Sequence, residues 1–295
     1  MNVIKLSFRF LRHVSFLRKI KSYVTNFLTK INYKNDYKTR LIIINNNLFN
    51  LYPGNFIEDT IIKTDTFEPH LLRLFKSIIK EGDVCLDIGA NIGFHSINIS
   101  DLVGNNGKVF AFEPIDYLLK KLNTNIHLSG SRNISIIPNA VSSFDRKGHI
   151  FEIDESFSEQ GSSSLFKNEF LSGIDKKEGV LKKKLCEVIT LDKWILDNNI
   201  QKVDFIKMDI EGGEYNALLG MKQLISKFCP YIIIEYKNTR MKKLNITNLK
   251  MQTHFEQLYD CYEITKKDIY GSYSLEPFNF DRYIDADLLC IPRNY

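Results

Sequence analysis

The chain has 295 residues, 44% of them hydrophobic, enough for one large α/β domain with an appendage or for two small domains. Its formal charge of +5 is uneven: residues 1–35 carry eight Lys or Arg and no Asp or Glu, leaving 32 basic against 35 acidic residues, −3, in the remainder. The larger part is therefore no basic nucleic-acid platform. Five scattered cysteines (Cys85, Cys186, Cys229, Cys261, Cys290) form no C-x-x-C pair, which argues against zinc and for a reducing, cytoplasmic compartment.

Residues 1–60 are expected to be a basic amphipathic helical arm with a connecting segment. Phe10, Val14, Leu17, Val24, Leu28 and Ile31 recur at steps that align on one face of a helix. No apolar run reaches the roughly 18 residues of a membrane span, and arginines interrupt any signal-peptide core. Such an arm either packs on the domain or makes peripheral contact with a membrane surface or a partner through residues 1–35.

Residues 61–295 read as one wound α/β domain, because strand and helix patterns alternate from residue 69 onward. EPHLLRLFKSIIK is a helix with Pro69 in its first turn. VCLDIG is a strand, FHSINISDLV a helix, KVFAFEP a second strand, and IDYLLKKLNTNIHL its helix. NISIIPNAV supplies a third strand and then a loop, and HIFEI and LCEVITL two more strands. Between these last two runs a long polar stretch, with residues 155–184 expected to form a substrate lid. VDFIKMDI, GEYNALLGMKQLISKF and YIIIEY then read as strand, helix and strand. A polar linker over 237–248, one more helix and a strand at DLLCIP complete the chain. In such a sheet ligands bind beyond the carboxyl ends of the strands, just after Asp87, Glu113, Pro138, Asp209 and Glu235.

The loop after the first of these strands is Gly89-Ala90-Asn91-Ile92-Gly93. It lacks the middle glycine of a dinucleotide fingerprint, and Phe94-His95 follows where a phosphate-binding loop requires Lys-Ser/Thr. Its glycines still allow a tight turn, and the helix behind it directs N–H groups at the crevice, which suits a carboxylate. Asp87 at the strand end would bind an ammonium. Glu113, twenty-four residues after Gly89, stands where an acidic side chain holds the two hydroxyls of a ribose. A carboxylate, an amine and a ribose together describe S-adenosylmethionine. Its adenine would lie near Asn139.

VCLDIGANIGFHSI, VFAFEP, GSSSL at 161–165, TLDKW, and above all DFIKMDIEGGEYNALLG followed by IIIEY resemble the FkbM family of S-adenosylmethionine-dependent methyltransferases, from about residue 67 to 292. The resemblance implies a Rossmann-like, doubly wound, mostly parallel seven-stranded sheet with its last strand antiparallel. It also implies methyl transfer to a hydroxyl, often on a sugar or glycan. Carried over, Asp87, Gly89, Ala90, Asn91 and Gly93 would shape the methionine side of the pocket. Glu113 and Pro114 would lie at the ribose, and Asn139 with Ala140 would flank adenine.

Methyl transfer to an alcohol requires alignment and a base for the hydroxyl proton. Asp209 is the first candidate, because alternation along the strand puts Val203, Phe205, Lys207 and Asp209 on one face. Lys207 would hold a substrate oxygen or offset the charge of Asp209. Glu235 is a second acid/base group or a hydroxyl acceptor, and Glu214 fits a helix cap. His95, Glu211, Ser163 and Ser164 are candidate acceptor contacts. Carboxylates gathered at one cleft could also bind Mg²⁺, but no histidine is placed to help and no metal ligand is assigned. Two other readings stand beside sugar O-methylation: a nicotinamide-dependent oxidoreductase, which the missing glycine disfavours, and N-methylation of a small molecule.

Overall fold

The computed structural model describes residues 39–154, 181–282 and 284–293. The expected helix over the arm and nearly all of the lid, Ser163 and Ser164 included, lie outside these residues. No helix among the described residues is long and apolar enough to cross a membrane.

The first element is a hairpin of β1 (Arg40–Ile44) and β2 (Asn47–Leu51). Asn45 and Asn46 turn it, both at positive φ (49° and 70°), as a two-residue hairpin turn demands. Alternation along β2 buries Phe49 and Leu51 in the same core cluster as Leu74, Phe75 and Ile97. Helix α1 (Phe56–Thr64) follows, capped by the Asn55 side chain on the Glu58 N–H, and the buried Glu58 pairs with Lys121. Residues 40–60, grouped with the arm on sequence, thus pack into the α/β domain. The FNL alternation that buries them was hidden among asparagines.

The expected alternation follows: α2 (Pro69–Ile78), β3 (Val84–Ile88), α3 (Phe94–Val103), β4 (Lys108–Phe112), α4 (Asp116–Ser129) and β5 (Ile134–Ile137). Beyond Pro138, β6 (Asn139–Val141) leaves this sheet. It pairs instead with β8 (Leu181–Ile189), which is antiparallel to β7 (Arg146–Asp154), in a separate three-stranded sheet. The third strand ends at Pro138 as expected, since proline cannot donate to a ladder, but residues 139–141, expected as a loop, form a short strand of the second sheet. Next come α5 (Leu191–Asp197), β9 (Phe205–Met208), α6 (Glu214–Leu219), α7 (Lys222–Phe228) and β10 (Tyr231–Lys237). The helix expected over 213–228 breaks at Gly220, where an added Cβ would lie 2.0 Å from the Ser142 carbonyl oxygen. Helix α8 (Asn238–Lys243) occupies the expected polar linker, and α9 (Asn248–Gln252) is the helix expected after it. Strands β11 (Tyr259–Lys266), β12 (Tyr273–Pro277) and β13 (Asp285–Pro292) finish the chain.

The main sheet runs β12-β11-β13-β10-β9-β3-β4-β5. Strands β3, β4, β5, β9 and β10 pair in parallel, and β13 lies antiparallel to β10. It holds eight strands where seven were expected, the extra being edge strand β12, hairpinned to β11. Alternation sorts the two faces: Cys85, Val109, Phe205 and Ile233 pack in one core cluster, Leu86, Phe112, Ile206 and Met208 in the other. A doubly wound sheet needs both faces covered. From β3 the chain winds outward to β4 and β5, then returns to β9 and β10 on the other side. The switch point, and the crevice it opens, therefore falls at the carboxyl ends of β3 and β9.

Candidate active site

A cavity of about 230 Å³ lies at that switch point. Its floor is the loop after β3. The Gly89 and Ala90 N–H groups both donate to the Phe112 carbonyl at 3.0 Å, tying the loop to the end of β4. Gly89 has φ +86°, and a Cβ there would sit 1.9 Å from the Asp209 carbonyl oxygen, so only glycine lets β9 close on the loop. Gly93 (φ +87°) turns the chain into α3, and a Cβ would meet Leu122 Cδ1 at 2.6 Å. It shapes the loop without lining the cavity, whereas Gly89, Ala90 and Asn91 line it.

Glu113 lines the cavity at the end of β4. Its Oε2 accepts from the Asn91 N–H at 2.9 Å and its Oε1 from the Ile115 N–H at 3.0 Å. The Asn91 N–H is thus spent on Glu113. Each carboxylate oxygen keeps one lone pair for a further donor. Burial pushes the Glu113 carboxyl up to about 7, against the pull of those two amides. Pro114, Asn139 and Ala140 also line the cavity, with the apolar side chains of Phe112, Ile115 and Val141.

Asp87 departs from its expected place. It is fully buried and does not line the cavity. One oxygen accepts from the Ser96 hydroxyl, and the other faces the Lys207 ammonium at 3.9 Å. The VCLDIG run placed it near the strand end, where it lies, but the side chain turns into the packing between β3, α3 and β9.

Lys207 and Asp209 both line the cavity, with Lys207 Nζ 3.4 Å from Asp209 Oδ2. The alternation holds from Phe205. Val203 lies before the strand begins and packs in the opposite cluster with Ile206. Burial opposes the charge on Lys207, yet Asp209, Asp87 and Glu68 outweigh it and hold the ammonium above its ordinary range. Glu235 lines the cavity from β10, its Oε1 2.8 Å from Lys237 Nζ and its Oε2 buried without a partner. Burial, then the Asp209 and Glu211 carboxylates, push it up to about 9. These surroundings favour its protonated form, against the pull of Lys237.

Glu211, at φ +60°, reaches the cavity but is paired with Arg240. Glu214 Oε1 accepts the Ile210 and Gly212 N–H groups at 2.9 and 3.2 Å, as a cap at the start of α6 should. Asp209, Glu214 and Glu235 bring one ligand oxygen each within 4.8 Å of one another, a spacing compatible with a hard cation. Burial pushes Glu214 to about 7, so the trio carries less charge than its composition implies.

His95 lines the cavity in the first turn of α3, its Nε2 2.8 Å from Glu68 Oε2. Glu68 itself, together with Phe56, Ile57 and Phe67, lines the cavity and was missed by sequence reasoning. Glu68 read as the residue before a helix-opening Pro69. Nothing local shows that this helix start reaches the carboxyl edge of the sheet.

The Methyltransferase FkbM domain family matches residues 87–260, more than half of the chain. The Protein-L-isoaspartate(D-aspartate) O-methyltransferase family matches residues 26–140. Hexuronic acid methyltransferase AglP of Haloferax volcanii is 25% identical over 168 residues, 57% of this chain and 62% of that protein. The protein-L-isoaspartate O-methyltransferase of Methanococcus aeolicus is 36% identical over 59 residues, 20% of this chain and 27% of that protein. The chain thus spans less than two thirds of the length of these curated relatives. A solved structure, a methyltransferase FkbM from Methylobacillus flagellatus KT, is 14% identical with a TM-score of 0.44, covering 79% of this chain and 57% of that chain.

Proposed function

We infer that this chain, which belongs to the FkbM methyltransferase family, uses S-adenosylmethionine to methylate a hydroxyl of a sugar, glycan or glycolipid precursor. The observation that carries this reading is the Lys207–Asp209 pair, 3.4 Å apart in the same cavity as Glu113.

The residues fit the cofactor. Glu113 has one lone pair left on each oxygen for a ribose diol, and Phe112, Ile115, Ala140 and Val141 offer apolar contact for a base beside the Asn139 amide. When bound, the cofactor supplies a methyl group already activated on a sulfonium.

The remaining work belongs to the chain. Asp209 accepts the proton of the acceptor hydroxyl, and Lys207 offsets the negative charge gathered beside it. Glu235, in the protonated form its surroundings favour, donates a hydrogen bond to an acceptor oxygen from the neighbouring strand end. The cavity walls align the acceptor, a contribution on the order of 7–11 kcal/mol in favourable systems.

Two comparisons support a sugar acceptor. The similarity to a hexuronic acid methyltransferase extends over 168 residues, whereas the isoaspartate methyltransferase family matches only residues 26–140. That span ends before β9 and so omits Lys207, Asp209 and Glu235. The test incubates the protein with methyl-labelled S-adenosylmethionine and a set of hexose- and hexuronate-bearing oligosaccharides, followed by mass spectrometry. An O-methylated sugar is expected. Label only on amines, or thermal stabilisation by NAD and not by S-adenosylhomocysteine, would overturn the reading.

A further inference from the structure

We propose that Glu68 is the carboxylate that receives the ammonium of the cofactor's amino-acid tail, the place sequence logic gives to Asp87. The inference rests on the S-adenosylmethionine reading above.

Asp87 is poorly placed for that task. It is fully buried, outside the cavity lining, with one oxygen held by Ser96 and the other turned to Lys207. The cavity nevertheless needs a carboxylate near the loop, because a charged amine taken from water without a partner is costly.

The other carboxylates that line the cavity stand at or beyond the ends of β4, β9 and β10 and also have partners, although Glu235 Oε2 has none among the described residues. Asp209 faces Lys207, Glu211 pairs with Arg240, Glu235 pairs with Lys237, and Glu113 accepts two backbone amides. Glu68 is different. It lines the cavity with Phe94 and His95, the residues that open α3 just past the loop. Among the described residues only its Oε2 is engaged, by His95 Nε2 at 2.8 Å. That bond orients the carboxylate and leaves Oε1 for a ligand.

Two further observations agree. Burial alone would raise the Glu68 carboxyl, but the His95 hydrogen bond and the Lys207 charge outweigh it, so the group lies below its ordinary range and stays ionised. Its backbone sits at φ +45°, in the left-handed region, without being glycine. Strain of this kind, on the order of 1–3 kcal/mol, persists at ligand clamps where the surroundings enforce it.

The test measures binding, not turnover. Isothermal titration of the wild type and of Glu68→Gln uses S-adenosylhomocysteine and 5′-methylthioadenosine, which lacks the amino-acid tail. We expect Glu68→Gln to weaken S-adenosylhomocysteine at least tenfold while 5′-methylthioadenosine stays within twofold. Glu68→Asp keeps the charge but withdraws it by one methylene. It should show the same selective loss in smaller degree, and it serves if the Gln variant does not fold. Unchanged S-adenosylhomocysteine affinity, or equal loss for both ligands, would overturn the proposal. A wild-type protein that binds neither ligand would instead overturn the cofactor reading on which the proposal rests.

Discussion

Lys207 stands between two carboxylates, 3.4 Å from Asp209 Oδ2 in the cavity and 3.9 Å from Asp87 Oδ1 beneath it. One buried cation thus serves a reactive side and a structural side at once. Asp209→Asn keeps the shape of the reactive side and removes its capacity to take a proton. We expect S-adenosylhomocysteine affinity to stay within about threefold and turnover to fall by about a hundredfold or more. Binding titration and label transfer check the two halves separately. Unchanged turnover would move the base to another residue.

Glu113 gives the binding step a pH signature. Its carboxyl, held up to about 7 by burial, is largely protonated at pH 6, whereas a ribose diol that donates two hydrogen bonds prefers the ionised form. Affinity for S-adenosylhomocysteine should therefore rise as pH increases toward 7 and level off above it. Binding at pH 6 should release a proton, read as a dependence of the titration heat on buffer ionisation enthalpy. Glu113→Gln should remove that dependence and cost about 1.5–3 kcal/mol at pH 8. A pH-independent wild type would exclude Glu113 from the contact.

The parts of the fold visible in the sequence are those written in period two or 3.6 over long runs. VCLDI, KVFAF and YIIIEY read as buried parallel strands, and the loop between Gly89 and Gly93 announced its turn through its glycines. Lys207 and Asp209 were found together because alternation puts them on one face. Features decided by tertiary contact were not legible. Nothing near Asp87 tells that its carboxylate would turn toward Ser96, and nothing near Glu68 tells that α2 begins at the cavity wall. The hairpin at 40–51 was obscured because asparagines, poor strand formers, occupy its turn and two of the five positions of β2.

Gly89→Ala tests the junction between the loop and β9. The new Cβ would lie 1.9 Å from the Asp209 carbonyl oxygen, at φ +86°, so β9 or the loop must move. Strain and displacement together should destabilise the protein by about 2–4 kcal/mol, seen as a lower urea midpoint. Because the displaced carbonyl belongs to Asp209, turnover of the folded fraction should also drop more than tenfold. A variant with wild-type stability would show that the loop does not pack on β9 as closely as described.

Glu235 makes stability itself depend on pH. Its carboxyl stands at about 9 in the folded chain, raised by burial and by Asp209 and Glu211, from an ordinary 4.5. Between these values the folded state holds a proton that the unfolded state has released. Stability from this group is therefore full below about 4.5 and is lost as pH rises through the window toward 9. Glu214 and Glu113, each at about 7, act in the same direction over a narrower range. Glu235→Gln fixes the neutral form, so it should leave Tm near the wild-type value at about pH 5.5, where Glu235 is protonated in the folded protein. Toward pH 9 the substitution should raise Tm, because the wild type alone must then carry a buried charge beside Asp209. Parallel Tm profiles for the two proteins from pH 5.5 to about 9 would show that Glu235 is already ionised in the folded chain, and would remove it as a hydrogen-bond donor to the acceptor.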